Sequence, residues 1–373
     1  MPGNPEDRLY VRRLVVCCGV AAFLLSGGFV LAKPAKHAKP VKTAASGTAA
    51  DAVVAKLQQS YAVPGAQFAA AVGGKIVDTK SFGDADVAAK KPVANTSVFL
   101  LASGSKPFTA MAIFTLIDSG KISVTTKAFT YLGLHGPDSR LPNITIAELL
   151  NHSSGLNDNI HVTTSDPLDI AKAAAAKELD FTPGQKQVYS NTGFNVLGAI
   201  IEKASGEKYQ TYTQQHVFTP AGVTAAAANL AAPIPNAVKQ YNKSNVAVTN
   251  TIPLAGTPAG GWVMSTADIV KVLVALDAGK IISAKSRATM FGPLPSKLKP
   301  RSNGAYYGGG WDVVYHDSSG RLVYGKNGGT TGAYSWMEHD ANGADFAEVF
   351  NGGKTGQDAQ WTTAKPIETA LAK

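Results

Sequence analysis

Between Met111 and Ile117 the chain is apolar on nearly every face of a helix, and Gly120 supplies a stop. A helix with no polar face has nothing to present to water, so it must lie inside a large core. The pattern predicts that this helix opens with Ser103 as its N-cap, carries Lys106 one turn in, and is closed by a left-handed Gly120. Pro107 is acceptable there, because first-turn amides have no intrahelical acceptor. The chain is thus constrained to bury a helix that carries a hydroxyl and an ammonium, three residues apart, at the mouth of its core.

That pairing suits nucleophilic chemistry. A serine hydroxyl is a poor nucleophile until a base takes its proton, and a desolvated lysine with a depressed pKa can do so. The helix N-terminus also favours negative charge developing near Ser103. The S-x-x-K string alone selects nothing, since it recurs at Ser205–Lys208 and Ser296–Lys299. The first recurrence lies where a helix ends, the second between Pro295 and Pro300. Neither starts a buried helix, so context selects Ser103.

The 373 residues can bury such a core as one big domain or two intimate ones. Residues 1–32 stand apart: Arg8, Arg12 and Arg13 precede an apolar run from Leu14 to Ala32 that ends Val30-Leu31-Ala32. This pattern predicts a secretory signal peptide cleaved after Ala32, and hence a periplasmic or secreted protein. The competing reading is an uncleaved membrane anchor, because the run approaches spanning length. Residues 33–50, rich in Lys, Pro and Ala, read as a flexible tether, and 51–373 as the globular part. Both cysteines, Cys17 and Cys18, fall in the leader, which leaves the mature chain no thiol for disulfides, catalysis or zinc. Removing the leader's excess of one and the tether's four lysines from the formal +9 leaves about +4 on the rest. That excess is too small for a nucleic-acid partner, although the basic tether could adhere loosely to anionic cell-envelope polymers.

Along the globular part, Asp51–Ser60 reads as a helix, and Gln67–Val72 and Lys75–Ser81 as strands joined by a Gly73-Gly74 hairpin turn. Thr145 to Glu148 spell a capping box, Pro167–Leu179 is helical, and a helix runs from Tyr189-Ser190-Asn191 to Gly206. Ser265 caps another that stops at Gly279. Beyond residue 305 come short strands at Gly310–His316, Arg321–Tyr324, Ala333–His339 and Ala344–Phe350, then a closing helix over Asp358–Leu371. Strands at both ends and helices between predict an α/β fold of the α+β type. One antiparallel sheet is built from both termini and flanked by helices, with an all-helical insertion over about 104–290.

Two further polar groups accompany Ser103 and Lys106. Tyr189-Ser190-Asn191 is the one Y-x-N in the chain, and Lys326-Asn327-Gly328-Gly329 opens the C-terminal strand region. A tyrosine close to two lysines ionises more easily and can act as a base. An asparagine can orient a substrate amide, and exposed strand amides can complete an oxyanion hole.

With these residues in order, the sequence resembles the serine β-lactamase and DD-peptidase superfamily. It is closest to the class C-like branch that includes carboxylesterases and D-amino-acid amidases. The resemblance covers nearly all of 51–373. It rests on Ser103 to Thr109, on Leu149-Leu150-Asn151-His152-Ser153-Ser154-Gly155-Leu156, on Phe181 to Gly184 with Tyr189 to Phe194, and on Gly260-Gly261-Trp262 and Gly328 to Gly332. It implies a β-lactamase/transpeptidase-like fold and an acyl-enzyme on Ser103, with Lys106 and Tyr189 moving the proton. It also implies an oxyanion hole from the backbone N–H groups of Ser103 and Gly329, substrate contacts from Asn191, Lys326, Asn327 and Gly328, and no metal or cofactor. His152 receives a packing role. The implied partner is a small-molecule or peptide substrate: a β-lactam, a D-Ala-D-Ala peptide, a small ester or a D-amino-acid amide. The alternative is a non-hydrolytic penicillin-recognising sensor or scaffold.

The chain departs from the family pattern at Lys326-Asn327-Gly328, where relatives carry Lys-Thr-Gly or a histidine first. Lys354-Thr355-Gly356 spells the motif literally, but it follows the last strand in a Gly-rich connection. There a lysine is a solvated loop charge. Lys326, followed by two more strands, is the site lysine by this reading.

Overall fold

The structure, a computed structural model, describes residues 49–352 apart from 61, 159, 161, 163, 225, 229–232, 250–251, 295–297 and 299–304. The leader, most of the tether, Lys354 and the expected closing helix lie outside the described residues. Among the described residues no helix is long and apolar enough to cross a membrane.

Helix α1 (Ala49–Ser60) precedes strands β1 (Gly65–Val72), β2 (Lys75–Asp86) and β3 (Lys91–Pro92). The middle holds short strands β4 (Phe99–Leu100), β5 (Ala227–Ala228), β6 (Gln240–Tyr241), β7 (Ala247–Val248) and β8 (Trp262–Met264). Its helices are α2 (Lys106–Asp118), α3 (Ala128–Leu132), α4 (Ile146–Leu150), α5 (Pro167–Ala175), α6 (Asn191–Ser205), α7 (Tyr209–Thr213), α8 (Thr257–Gly260), α9 (Thr266–Asp277) and α10 (Ala284–Met290). Strands β9 (Tyr306–Gly308), β10 (Trp311–His316), β11 (Leu322–Thr330), β12 (Ala333–His339) and β13 (Ala344–Phe350) follow.

The eight-stranded sheet has the order β3-β2-β1-β13-β12-β11-β10-β9, and the pairings that build it are antiparallel. The first and last strands of the described residues therefore meet near its centre, where β1 pairs with β13 from Ala66↔Phe350 to Val72↔Ala344. Strand β1 is apolar almost without interruption because both of its faces are covered. Ala69 and Ala71 join the main core, whereas Phe68 and Ala70 pack with Val54 of α1 and with Trp336 and Phe346 on the other face. Gly73 and Gly74 both take positive φ (58° and 74°), as a two-residue hairpin between twisted strands demands.

Helix α2 runs through the main core, with Lys106 to Phe114 and Leu116 all buried. Truncating a side chain such as Phe114 there would cost about 3–5 kcal/mol. Two expectations need correction. The inserted region is not wholly helical: its strands β5 and β8 form a three-stranded sheet with β4, which precedes the insertion, in the order β4-β8-β5. Nor does Ser103 cap α2, which begins at Lys106 after Ser105. Ser103 lies in a 3₁₀ turn over Ala102–Ser105, because Ala102 enters the left-handed region at φ 48° and turns the chain one step early.

The far end of α9 is tied to the sheet by a charge network. His339 Nδ1 lies 2.7 Å from Asp277 Oδ2 and 2.9 Å from Asp345 Oδ1. Arg287 pairs with Asp277, which also accepts from the Tyr324 hydroxyl at 2.9 Å. Burial opposes charge on His339, but the bonds to Asp277 and Asp345 outweigh it and push the imidazole up to about 10. Burial pushes Asp345 up to about 6. A raised histidine pKa contributes stability that is complete below its unfolded value of about 6.5 and is lost as pH climbs through about 10. Accordingly, His339→Asn should destabilise the protein at pH 6 by about 3 kcal/mol. The Tm difference between wild type and variant should shrink as melting curves are taken from pH 6.5 toward 10. A gap that stays constant with pH would refute the charged bridge.

Candidate active site

The Ala102–Ser105 turn is pressed against the sheet, and glycines make the approach possible. A Cβ on Gly328 would sit 1.9 Å from the Leu101 carbonyl oxygen and 2.5 Å from the Gly104 nitrogen. One on Gly104 would sit 2.6 Å from Ser335 Oγ, which itself donates to the Leu101 carbonyl at 2.7 Å. Ser105 Oγ accepts from the Trp262 amide at 3.0 Å, which fixes the other side of the turn to β8. Ser103 is left half-buried, with its hydroxyl aimed into the cleft between sheet and helices.

Two of the expected residues converge on that hydroxyl, and a third, Asn191, holds one of them. Tyr189 donates to Ser103 Oγ at 2.6 Å, and Lys106 Nζ donates to it at 3.2 Å. Lys106 Nζ also donates to Asn191 Oδ1 (2.8 Å) and the Ala259 carbonyl (2.7 Å). Tyr189 and Asn191 reach the cleft because Ser190 N-caps α6, with its Oγ accepting from the Gly193 amide at 3.0 Å. Lys106 is 0% exposed. Burial, reinforced by the charge of Lys326, holds its pKa well below that of an ordinary lysine, against the opposing pull of Asp312 and Asp158.

Tyr189 behaves differently from the expectation. Lys106 Nζ and Lys326 Nζ do lie over its ring, 4.7 Å and 5.4 Å from the centroid. Yet burial and then the carboxylate of Asp312 push its pKa up, outweighing the bond to Ser103. The residue is 40% exposed, so solvent tempers the size of that push but not its direction. The phenol keeps its proton, and a buried lysine with a depressed pKa is the group able to accept one.

Strand β11 is longer than its sequence suggested and carries Lys326, Asn327, Gly328 and Gly329 past the end of its pairing with β10. That segment still pairs with β12, from Lys326↔Met337 to Thr330↔Ala333. Lys326 is 0% exposed and beside Tyr189; Gly329 is exposed, with open space where a side chain would be. His152 is buried against the rings of Tyr189 (4.4 Å), Phe194 (5.2 Å) and Tyr307 (4.3 Å), and its Nδ1 accepts from the Ser190 amide at 3.1 Å. Burial, then Lys106 and Lys326, keep it neutral. Of the competing serines, Ser205 donates to the Ile201 carbonyl at 2.7 Å at a helix end, and Ser296 lies outside the described residues.

Two acids were missed. Asp158 accepts from the Thr192 amide (2.7 Å), Ser190 Oγ (3.1 Å) and Asn191 Nδ2 (3.3 Å), and so turns the Asn191 oxygen toward Lys106. Asp312 accepts from Lys326 Nζ at 2.6 Å and from the Asn327 amide at 3.1 Å. The lone carboxylate in the apolar run Trp311-Asp312-Val313-Val314 was a usable signal for the second. Nothing in the loop sequence marks Asp158.

Residues 50–360 match the family described as Beta-lactamase. The chain belongs to that family. It is 32% identical over 297 residues to Penicillin-binding protein 4* of Bacillus subtilis, an alignment covering 72% of this chain and 63% of that protein. Less than two thirds of the relative's length is thus represented. Among solved structures, the fold is shared with a D-alanine carboxypeptidase AmpC from Burkholderia cenocepacia, with a TM-score of 0.72, 20% identity, and 87% of this chain and 98% of that one covered. It is also shared with a D-amino acid amidase from Ochrobactrum anthropi, with a TM-score of 0.71, 23% identity, and 87% and 97% covered. Within this family fold, the approach of turn to sheet depends on Gly328. Gly328→Ala should slow covalent labelling of the site serine about tenfold or more and lower Tm, since overpacking of this kind costs about 1–3 kcal/mol. Unchanged labelling would mean that the turn tolerates displacement from β11.

Proposed function

We propose that the chain is a serine hydrolase that cleaves an amide or ester through an acyl-enzyme on Ser103. The observation that carries this reading is the hydroxyl of Ser103, held at once by a fully buried lysine and a protonated tyrosine. Ser103 Oγ attacks the substrate carbonyl carbon while neutral Lys106 takes its proton. The resulting oxyanion is held by the N–H groups of Ser103 and Gly329. As the intermediate collapses, the bond to the leaving group breaks and Tyr189 protonates the departing atom, with the proton on Lys106 restoring the phenol. Water then attacks the acyl carbon, gives its proton back through the same pair, and releases the acid and free Ser103. Asn191 and the β11 segment Lys326–Gly328 border the substrate.

The family membership and the penicillin-binding, carboxypeptidase and amidase names of the similar proteins support the reaction class. The fold itself hosts several substrates and does not choose among them. The basic, apolar leader supports export of the protein, and the mass of the exported chain would show whether cleavage follows Ala32.

Wild type should be labelled by a fluorophosphonate, and turnover of a small ester should accompany it. Ser103→Ala should lose the label with little change in Tm, because no helix cap is removed. Labelling that survives in Ser103→Ala would overturn the assignment. A stable label without turnover would instead mark an acyl-trapping sensor.

Because the base must be deprotonated, kcat/KM should rise with pH through an apparent pKa well below the usual 10.5 of lysine. Lys326 lowers the Lys106 pKa and Asp312 raises it. Lys326→Ala should therefore cut turnover and also move that rise to higher pH. A pH profile that keeps its midpoint would separate Lys326 from the base.

A further inference from the structure

Strand β10 stops pairing with β11 at Val313↔Gly325, so the next residues, Asp312 and Lys326, face each other across the end of the ladder. Asp312 closes that end. One carboxylate oxygen takes the Lys326 ammonium at 2.6 Å and the other takes the Asn327 N–H at 3.1 Å. The Lys326 side chain is wholly buried and that of Asp312 is 21% exposed, so the pair is little screened from the cleft side. Lys326 Nζ in turn lies 5.4 Å from the centre of the Tyr189 ring, whose hydroxyl touches Ser103.

The other lysine of the cleft is not available either. Lys106 Nζ is already partnered by Ser103, Asn191 and the Ala259 carbonyl, and as the neutral base it carries no charge to offer. A substrate bearing a carboxylate next to its scissile bond would find no vacant ammonium at these two lysines. To reach Lys326 it must displace a carboxylate tethered in place, which competes at high effective concentration. It must then sit beside the negative charge it displaced. An ester or amide without that carboxylate meets no such opposition.

We propose that Asp312 is a built-in carboxylate that occupies Lys326 and selects for neutral acyl donors, esters or amides lacking a free carboxylate beside the scissile bond. This inference rests on the acyl-transfer reading of Ser103.

A matched pair of thioesters tests it: hippuryl thioglycolate, which carries the carboxylate, and its methyl ester, which does not. Wild type should show the higher kcat/KM for the methyl ester. Asp312→Asn should raise the acid-to-ester ratio of kcat/KM about tenfold, mostly through KM, whereas Asp312→Glu should hold it within about threefold of wild type. Reading the ratio removes any general loss of activity from the comparison. An unchanged ratio in Asp312→Asn, or a wild-type preference for the free acid, would overturn the proposal. Binding to unmodified protein gives a second arm that needs no variant: N-acetyl-D-alaninamide should raise Tm more than N-acetyl-D-alanine does, and an equal or reversed order would overturn the proposal as well. Failure of the underlying reading would look different, as absence of a Ser103 adduct and of turnover with both thioesters, and the binding arm would still decide the preference.

Discussion

An ammonium with no exposed surface is the constraint on which this site depends. Burying a charged lysine costs several kcal/mol even after relaxation, so the structure must either satisfy it or let it lose its proton. Lys106 does some of both. Three oxygens partner its Nζ, and they come from Ser103, from the start of α6 and from α8. Its position as first residue of α2 adds the positive end of the helix dipole, which works against a cation and favours an anion at neighbouring Ser103. The same placement that disfavours a charge on Lys106 also favours negative charge beside it.

Holding that lysine requires a seam between distant parts of the chain. Leu101 and Ser335 are 234 residues apart, yet the hydroxyl of one holds the carbonyl of the other. The seam is narrow because Gly104 and Gly328 carry no side chains, and the strained turn at Ala102 aims Ser103 outward instead of letting it cap α2. Backbone strain of this sort costs about 1–3 kcal/mol and persists only where the surroundings over-determine it. Here the turn is clamped by β8 on one side and by β11 and β12 on the other.

Two carboxylates balance the two lysines. Asp158 faces the α6 side, where it orients Asn191, and Asp312 faces the sheet side, where it holds Lys326. Both raise the pKa of Lys106 while burial and Lys326 lower it, so the basicity of the site is set by residues on four separate segments. A family fold can keep the serine and its lysine and still change what it accepts by moving such charges at the rim.

Much was legible in the sequence because it depends on local patterns. The all-apolar helix, the Gly73-Gly74 hairpin, the Thr145–Glu148 capping box, the Ser265 cap and the strands Ala333–His339 and Ala344–Phe350 are short-range features, and each is present. Ser103, Lys106, Tyr189 and Lys326 were singled out by residue type and spacing, and they share one cleft. What the sequence could not carry were quantities that arise between segments. The left-handed turn at Ala102 is imposed by packing against strands more than 200 residues away, and no local signal overrides an alanine's preference for negative φ. The protonated state of Tyr189 is favoured first by its burial and then by the charge of an aspartate 123 positions later in the chain. Burial and opposing charge are properties of three-dimensional neighbours, so the sequence by itself determined which groups would be present, and only the tertiary structure decided which of them holds a proton and which lysine is already taken.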